Sequence, residues 1–105
     1  GGDAVQISHA AALALKNLLG LACDPVAGLV EVPCVKRNVM GAVNAMTSSD
    51  MVMAGITSKI PPDEVIDAMR AIGRSMSEDI RETGKGGLAG TPTGVAIRER
   101  MAGTL

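Results

Sequence analysis

The chain has 105 residues, enough for one domain that buries about two thirds of its unfolded surface, but it contains no Phe, Tyr or Trp. Its apolar content rests on Ala, Val, Leu, Ile and seven Met, so the core is thin and relies on neighbouring structure. A net charge of −1 with ten scattered basic residues builds no positive stripe and excludes nucleic acid as a partner, while the interrupted apolar runs fall short of the roughly twenty residues a membrane span needs.

The chain opens "GGDAVQ" with no initiator Met, as a cut or processed segment would, and carries no signal or transit segment. The expectation is a cytoplasmic protein that meets no membrane. Asp3 is placed to cap a first helix running to about Leu19, with Ile7, Leu13, Leu15, Leu18 and Leu19 spread nearly all the way round it. Gly20 is the expected stop. Pro25, Gly28 and Pro33 then keep the segment from Leu21 to Pro33 out of regular helix, and "GLVEV" has no partner that would make it a strand.

A second helix is expected from after Pro33 to about Ala54, with Val35, Val39, Val43, Met46 and Met53 on a core-facing side. Lys36, Arg37, Asn44 and Asp50 are set away from that side, and Ser48 and Ser49 are expected to loosen its middle. "PPDEV" gives the third helix a strong start, through proline in its first turn and two acids near the positive end of the dipole. Val65, Met69, Ile72, Met76 and Ile80 carry it towards Thr83. A glycine-rich loop around Gly84, Gly86, Gly87 and Gly90 follows, then a short helix from Pro92. The fold class is therefore all-α, with three main helices, a short C-terminal helix, a Pro/Gly-rich cysteine loop and a glycine-rich loop.

Cys23 and Cys34 bracket the Pro/Gly-rich loop, and four readings compete for them. Cysteine is commonly a small buried hydrophobe, and a disulfide across the loop is conceivable but disfavoured in a reducing compartment. Zinc normally takes four ligands with close pairs, and His9 is the single histidine. The tight C-x2-C runs of ferredoxin-type clusters are absent. Local context favours a metal more than spacing does, because Cys34 precedes the first turn of a helix, where backbone N–H groups and the dipole favour a thiolate. Spacing alone leaves the choice open.

The string "NLLGLACDPVAGLVEVPCVKRNVMGAVNA" closely resembles the segment of bacterial iron–sulfur-dependent L-serine dehydratases that carries two of their cluster cysteines. "GKGGLAGTPTG" resembles the glycine-rich segment near the end of the same catalytic chain, and the likeness spans essentially all 105 residues. The resemblance implies that residues 1–105 are the C-terminal segment of an alpha-chain catalytic domain. It implies a 4Fe–4S cluster held by three cysteines, of which Cys23 and Cys34 match two; the third would lie outside this chain. The partners it implies are the remainder of the alpha chain, a beta subunit and L-serine, which such a lyase converts to pyruvate and ammonia by eliminating water.

No catalytic base is identified. His9 reads first as a half-buried structural histidine, and Lys85 as an exposed residue of a flexible loop that could meet a substrate carboxylate. Arg37 and Asn38, a turn beyond Cys34, could donate to the cluster or substrate, or simply face solvent. Asp24 is expected to shape the loop by accepting backbone hydrogen bonds, and Met69 and Met76 to fill the core. By itself the chain is expected to be inactive. The alternatives are a non-catalytic helical module with ordinary buried cysteines and an element that cycles a Cys23–Cys34 disulfide.

Overall fold

The computed structural model describes residues 2–29 and 34–104, which form four α-helices and three short 3-10 turns. The helices are α1 (Ala4–Lys16), α2 (Cys34–Met53), α3 (Pro62–Ser75) and α4 (Pro92–Thr104). The turns are Val26–Gly28, Glu78–Ile80 and Gly87–Gly90, and the described residues hold no strand beyond one isolated bridge between Cys23 and Arg81. The expected all-α class holds. The doubtful strand falls largely on residues 30–33, outside the described residues. No helix is long and apolar enough to cross a membrane. The chain divides into two compact units, Gly1–Gly20 with Val39–Arg74, and Leu21–Asn38 with Ser75–Leu105.

In the first unit α1 starts where Asp3 and Gln6 cap each other. The Gln6 N–H donates to Asp3 Oδ1 at 2.8 Å and the Asp3 N–H to Gln6 Oε1 at 2.9 Å, which satisfies two of the orphan donors of the first turn. The helix ends at Lys16, a little short of Leu19, and a turn carries the chain to Gly20 at φ +77°, a left-handed position that glycine adopts without strain.

The face that α2 buries differs from the expected one. Val35, Val39, Val43, Met46 and Met53 are 52–69% exposed, whereas Ser48 and Val52 are buried and Gly41 and Asn44 half-buried. Small and polar residues decide this, because Ser48 is buried and Asn44 joins α2 to α1. Its Nδ2 donates to the Ala14 carbonyl at 2.9 Å, and its Oδ1 accepts from Asn17 Nδ2 at 2.7 Å. Ser48 and Ser49 do not loosen the helix, which runs unbroken through both.

α3 buries Val65 and half-buries Met69, as its spacing predicted, but ends at Ser75 rather than near Thr83. Met76 and Ile80 lie beyond it. Ser77 redirects the backbone by accepting from the Asp79 N–H at 3.3 Å and capping the Glu78–Ile80 turn.

His9 ties α1 to the loop between α2 and α3, since its Nδ1 accepts from the buried Ser58 N–H at 3.0 Å. Ser58 Oγ donates onward to the Ile60 carbonyl at 2.6 Å. His9→Ala would leave a buried N–H unpaired and is expected to lower stability by about 1–3 kcal/mol. His9→Asn, whose Oδ1 can accept in the same place, should recover much of that loss in denaturant unfolding of the whole protein.

Candidate metal centre

The second unit brings the cysteine loop and the glycine-rich loop together. The Cys23 N–H donates to the Ile80 carbonyl at 2.9 Å and the Glu82 N–H donates to the Cys23 carbonyl at 2.7 Å, so the backbone of Cys23 is pinned on both sides. Cys34 is the first residue of α2. Both cysteines are free and half-buried, and the Cys34 side chain neighbours that of Cys23. Burial pushes the Cys23 thiol up from its ordinary value, with Glu82, the neighbouring Cys34 sulfur and Asp24 acting in the same direction.

Asp24 is the hub of this region. It is 3% exposed, and its Oδ2 accepts from the Leu88 N–H at 2.7 Å while its Oδ1 takes the Arg37 guanidinium. Arg37 Nη1 also donates to the Ala22 carbonyl at 2.7 Å. Burial alone would raise the Asp24 carboxyl, but the Leu88 N–H and Arg37 outweigh it and hold the group below its ordinary value. One carboxylate thus joins the residue after Cys23, the first turn of the helix that Cys34 starts, and the glycine-rich loop. The sequence named Asp24 and Arg37 separately; their pairing needed the fold.

Two glycines of "GKGGLAGTPTG" are there because backbone passes too close for a side chain. A Cβ on Gly87, at φ +59°, would lie 2.8 Å from the Asp24 Cβ and 2.9 Å from its Cγ. One on Gly94 would lie 2.9 Å from the Ala89 carbonyl oxygen, where α4 packs on the Gly87–Gly90 turn. Thr91 starts α4 by accepting from the Gly94 N–H at 3.1 Å, donates to the Leu88 carbonyl at 2.7 Å, and precedes a proline at the first helical position. Lys85 lies exposed in the same loop, Asn38 is exposed on α2, and Met69 and Met76 are half-buried.

Two adjacent free thiols are a soft donor set that suits iron in a sulfide cluster and fall short of the four ligands of a structural zinc site. The acids around Cys23 oppose a bare thiolate, and a cationic metal–sulfide core would reverse that opposition. Among the described residues no group of three or more His, Cys, Asp or Glu side chains could hold a metal ion.

The raised thiol has a consequence in solution. In the metal-free protein, alkylation of Cys23 is expected to keep accelerating as pH rises past the ordinary thiol range and to level off only above it. Glu82→Gln removes one of the raising charges and should shift that profile to lower pH, read by iodoacetamide labelling and peptide mapping. An unmoved profile would show that the Glu82 charge does not reach the sulfur.

A helical chain with a paired-thiol loop latched to a glycine-rich turn is the class of structure at hand. It belongs to the serine dehydratase alpha chain family, whose model matches residues 1–89, a span that includes both cysteines, Asp24, Arg37 and Leu88. The chain is 63% identical over 103 residues to the probable L-serine dehydratase alpha chain of Latilactobacillus sakei, covering 98% of this chain and 49% of that one. It is 63% identical over 103 residues to the probable L-serine dehydratase alpha chain of Bacillus subtilis (strain 168), covering 34% of it. The L-serine dehydratase alpha chain of Peptoniphilus asaccharolyticus is 53% identical over 98 residues, which are 93% of this chain and 34% of that one. The chain thus spans between a third and a half of the length of these relatives. No solved structure matches it at comparable stringency.

Proposed function

We propose that this chain is the C-terminal segment of the alpha chain of an iron–sulfur-dependent L-serine dehydratase, a cytoplasmic lyase that eliminates water from L-serine to give pyruvate and ammonia. Cys23 and Cys34 hold two corners of a 4Fe–4S cluster, and a third cysteine comes from outside the chain. The observation that carries this reading is the contact between two free thiols in a chain of this family. When bound, the cluster would supply a Lewis-acidic iron that makes the serine hydroxyl a better leaving group.

The chain's own residues hold that centre in place. Backbone bonds to Ile80 and Glu82 fix Cys23, and the start of α2 carries Cys34. Asp24 pulls the glycine-rich loop over the cysteine loop through Leu88, so that backbone rather than side chains forms the wall at Gly87. Arg37 neutralises Asp24 and limits the negative charge beside the sulfurs. We assign no base to the α-proton, because Asp24 is engaged by Leu88 and Arg37, and His9 Nδ1 already accepts from Ser58.

The remainder of the alpha chain, a beta subunit and L-serine are the proposed partners. Anaerobic assembly of the whole alpha and beta chains with iron and sulfide tests the reading. Broad visible absorption and serine-dependent pyruvate are expected. An assembled protein without iron would favour a helical module with ordinary buried cysteines.

A further inference from the structure

Within the first unit α2 turns a bare apolar stripe outward. Val39, Val43 and Met46 recur at spacings of four and three, and each is more than half exposed. Met53 follows two turns beyond Met46 on the same side, with the exposed Asp50 between them, and it also lines an open groove of about 330 Å³ between α1 and α2. Ala10, Ala14, Ala45 and Ser49 line this groove along with Ile7, and among the described residues no charged side chain lines it. Stripe and groove meet at Met53. Contiguous apolar patches of this kind on soluble proteins mark places where something docks.

The shape narrows what docks there. Walls of alanine and serine let a helix axis approach to about 8–10 Å, and a stripe at spacings of four and three meets the ridges of such a helix. We infer that this surface seats an α-helix from the remaining part of the same alpha chain. The inference rests on the reading above that the chain is one segment of an alpha chain. More than half of the Latilactobacillus sakei and Bacillus subtilis relatives lies outside the aligned part, so such alpha chains carry the polypeptide to supply that helix. A segment of the same chain is also held nearby at an effective concentration of about millimolar, whereas a second copy must reach the face from dilute solution.

The test is cysteine accessibility in the full alpha chain, purified without a beta chain. Met46→Cys and Val39→Cys are each compared with Glu64→Cys, which is exposed on α3. Maleimide labelling is followed by peptide mapping, so that Cys23 and Cys34 are scored separately. Labelling at positions 39 and 46 is expected to be about tenfold or more slower than at position 64, and unchanged on dilution. Equal rates at the three positions would overturn the inference. So would protection that disappears on dilution, which would mean a second copy, or protection that appears only when a beta chain is added. If one variant does not fold, the other gives the same reading. The measurement needs neither iron nor serine, so a failure of the lyase reading would leave its result intact and separately legible.

Discussion

Gly87→Ala is expected to be among the most damaging single substitutions in the chain. Two costs add: a left-handed backbone that an L side chain adopts only under strain, and a Cβ driven against Asp24. Together they amount to about 2–5 kcal/mol. Asp24 cannot step aside cheaply, because its oxygens are held by Leu88 and Arg37. Gly28 separates the two costs, since it has φ +73° but open space where a Cβ would go. Gly28→Ala should show only the backbone part, about 1–2 kcal/mol. Gly103, inside α4 with open space and no positive φ, should tolerate Ala or gain up to about 1 kcal/mol in helix propensity. Denaturant unfolding of the three variants gives the order. A Gly87→Ala loss no larger than that of Gly28→Ala would mean that the Asp24 contact is not there.

Asp24→Ala is expected to cost about 3 kcal/mol, because it removes a hydrogen bond from Leu88 and a charge-assisted one from Arg37 together. Asp24→Asn keeps the shape and one acceptor, and should retain part of the loss. The acid limb carries a further signature. The carboxyl is held below its ordinary value, so its contribution is complete above the unfolded pKa of about 3.9 and is lost as pH falls through the lower folded value. The variants should therefore lose less additional stability between neutral pH and strong acid than the parent does. Combining Asp24→Ala with Gly87→Ala should cost somewhat less than the sum of the two, because the substitution at 24 removes the carboxylate that crowds the new Cβ and leaves only the Cβ of residue 24, 2.8 Å away, in its path. Strict additivity would separate the two residues.

Much of the fold could be read from the residues, for identifiable reasons. Asp3, the "PPDEV" start and Pro92 are local signals, and each marks the start of an element. The stopping point of α3 was missed because the apolar spacing continues through Met76 and Ile80, while Ser77 caps a new turn just beyond the helix by a side-chain bond that periodicity does not register. The buried face of α2 was missed for a different reason. Val and Met mark a side that needs covering, but the partner inside this chain takes the side of Asn44 and Ser48.

The candidate site divides in the same way. The meeting of Cys23 and Cys34 could be anticipated from a constrained loop and a recognisable string of residues. The bond from Leu88 to Asp24 joins positions far apart in sequence, and no spacing rule announces it. The glycine pattern was visible as a loop, yet its reason, a backbone pressed against a carboxylate, appears only once the loop is folded over Asp24.

Iron and sulfide content of the anaerobically assembled whole protein, compared among the parent, Cys23→Ser and Cys34→Ser, probes the shared grip of the two sulfurs most directly. Each single substitution is expected to strip most of the cluster and its visible absorption, with helix content by circular dichroism unchanged. Full iron and sulfide in either variant would contradict the assignment of that sulfur to the cluster.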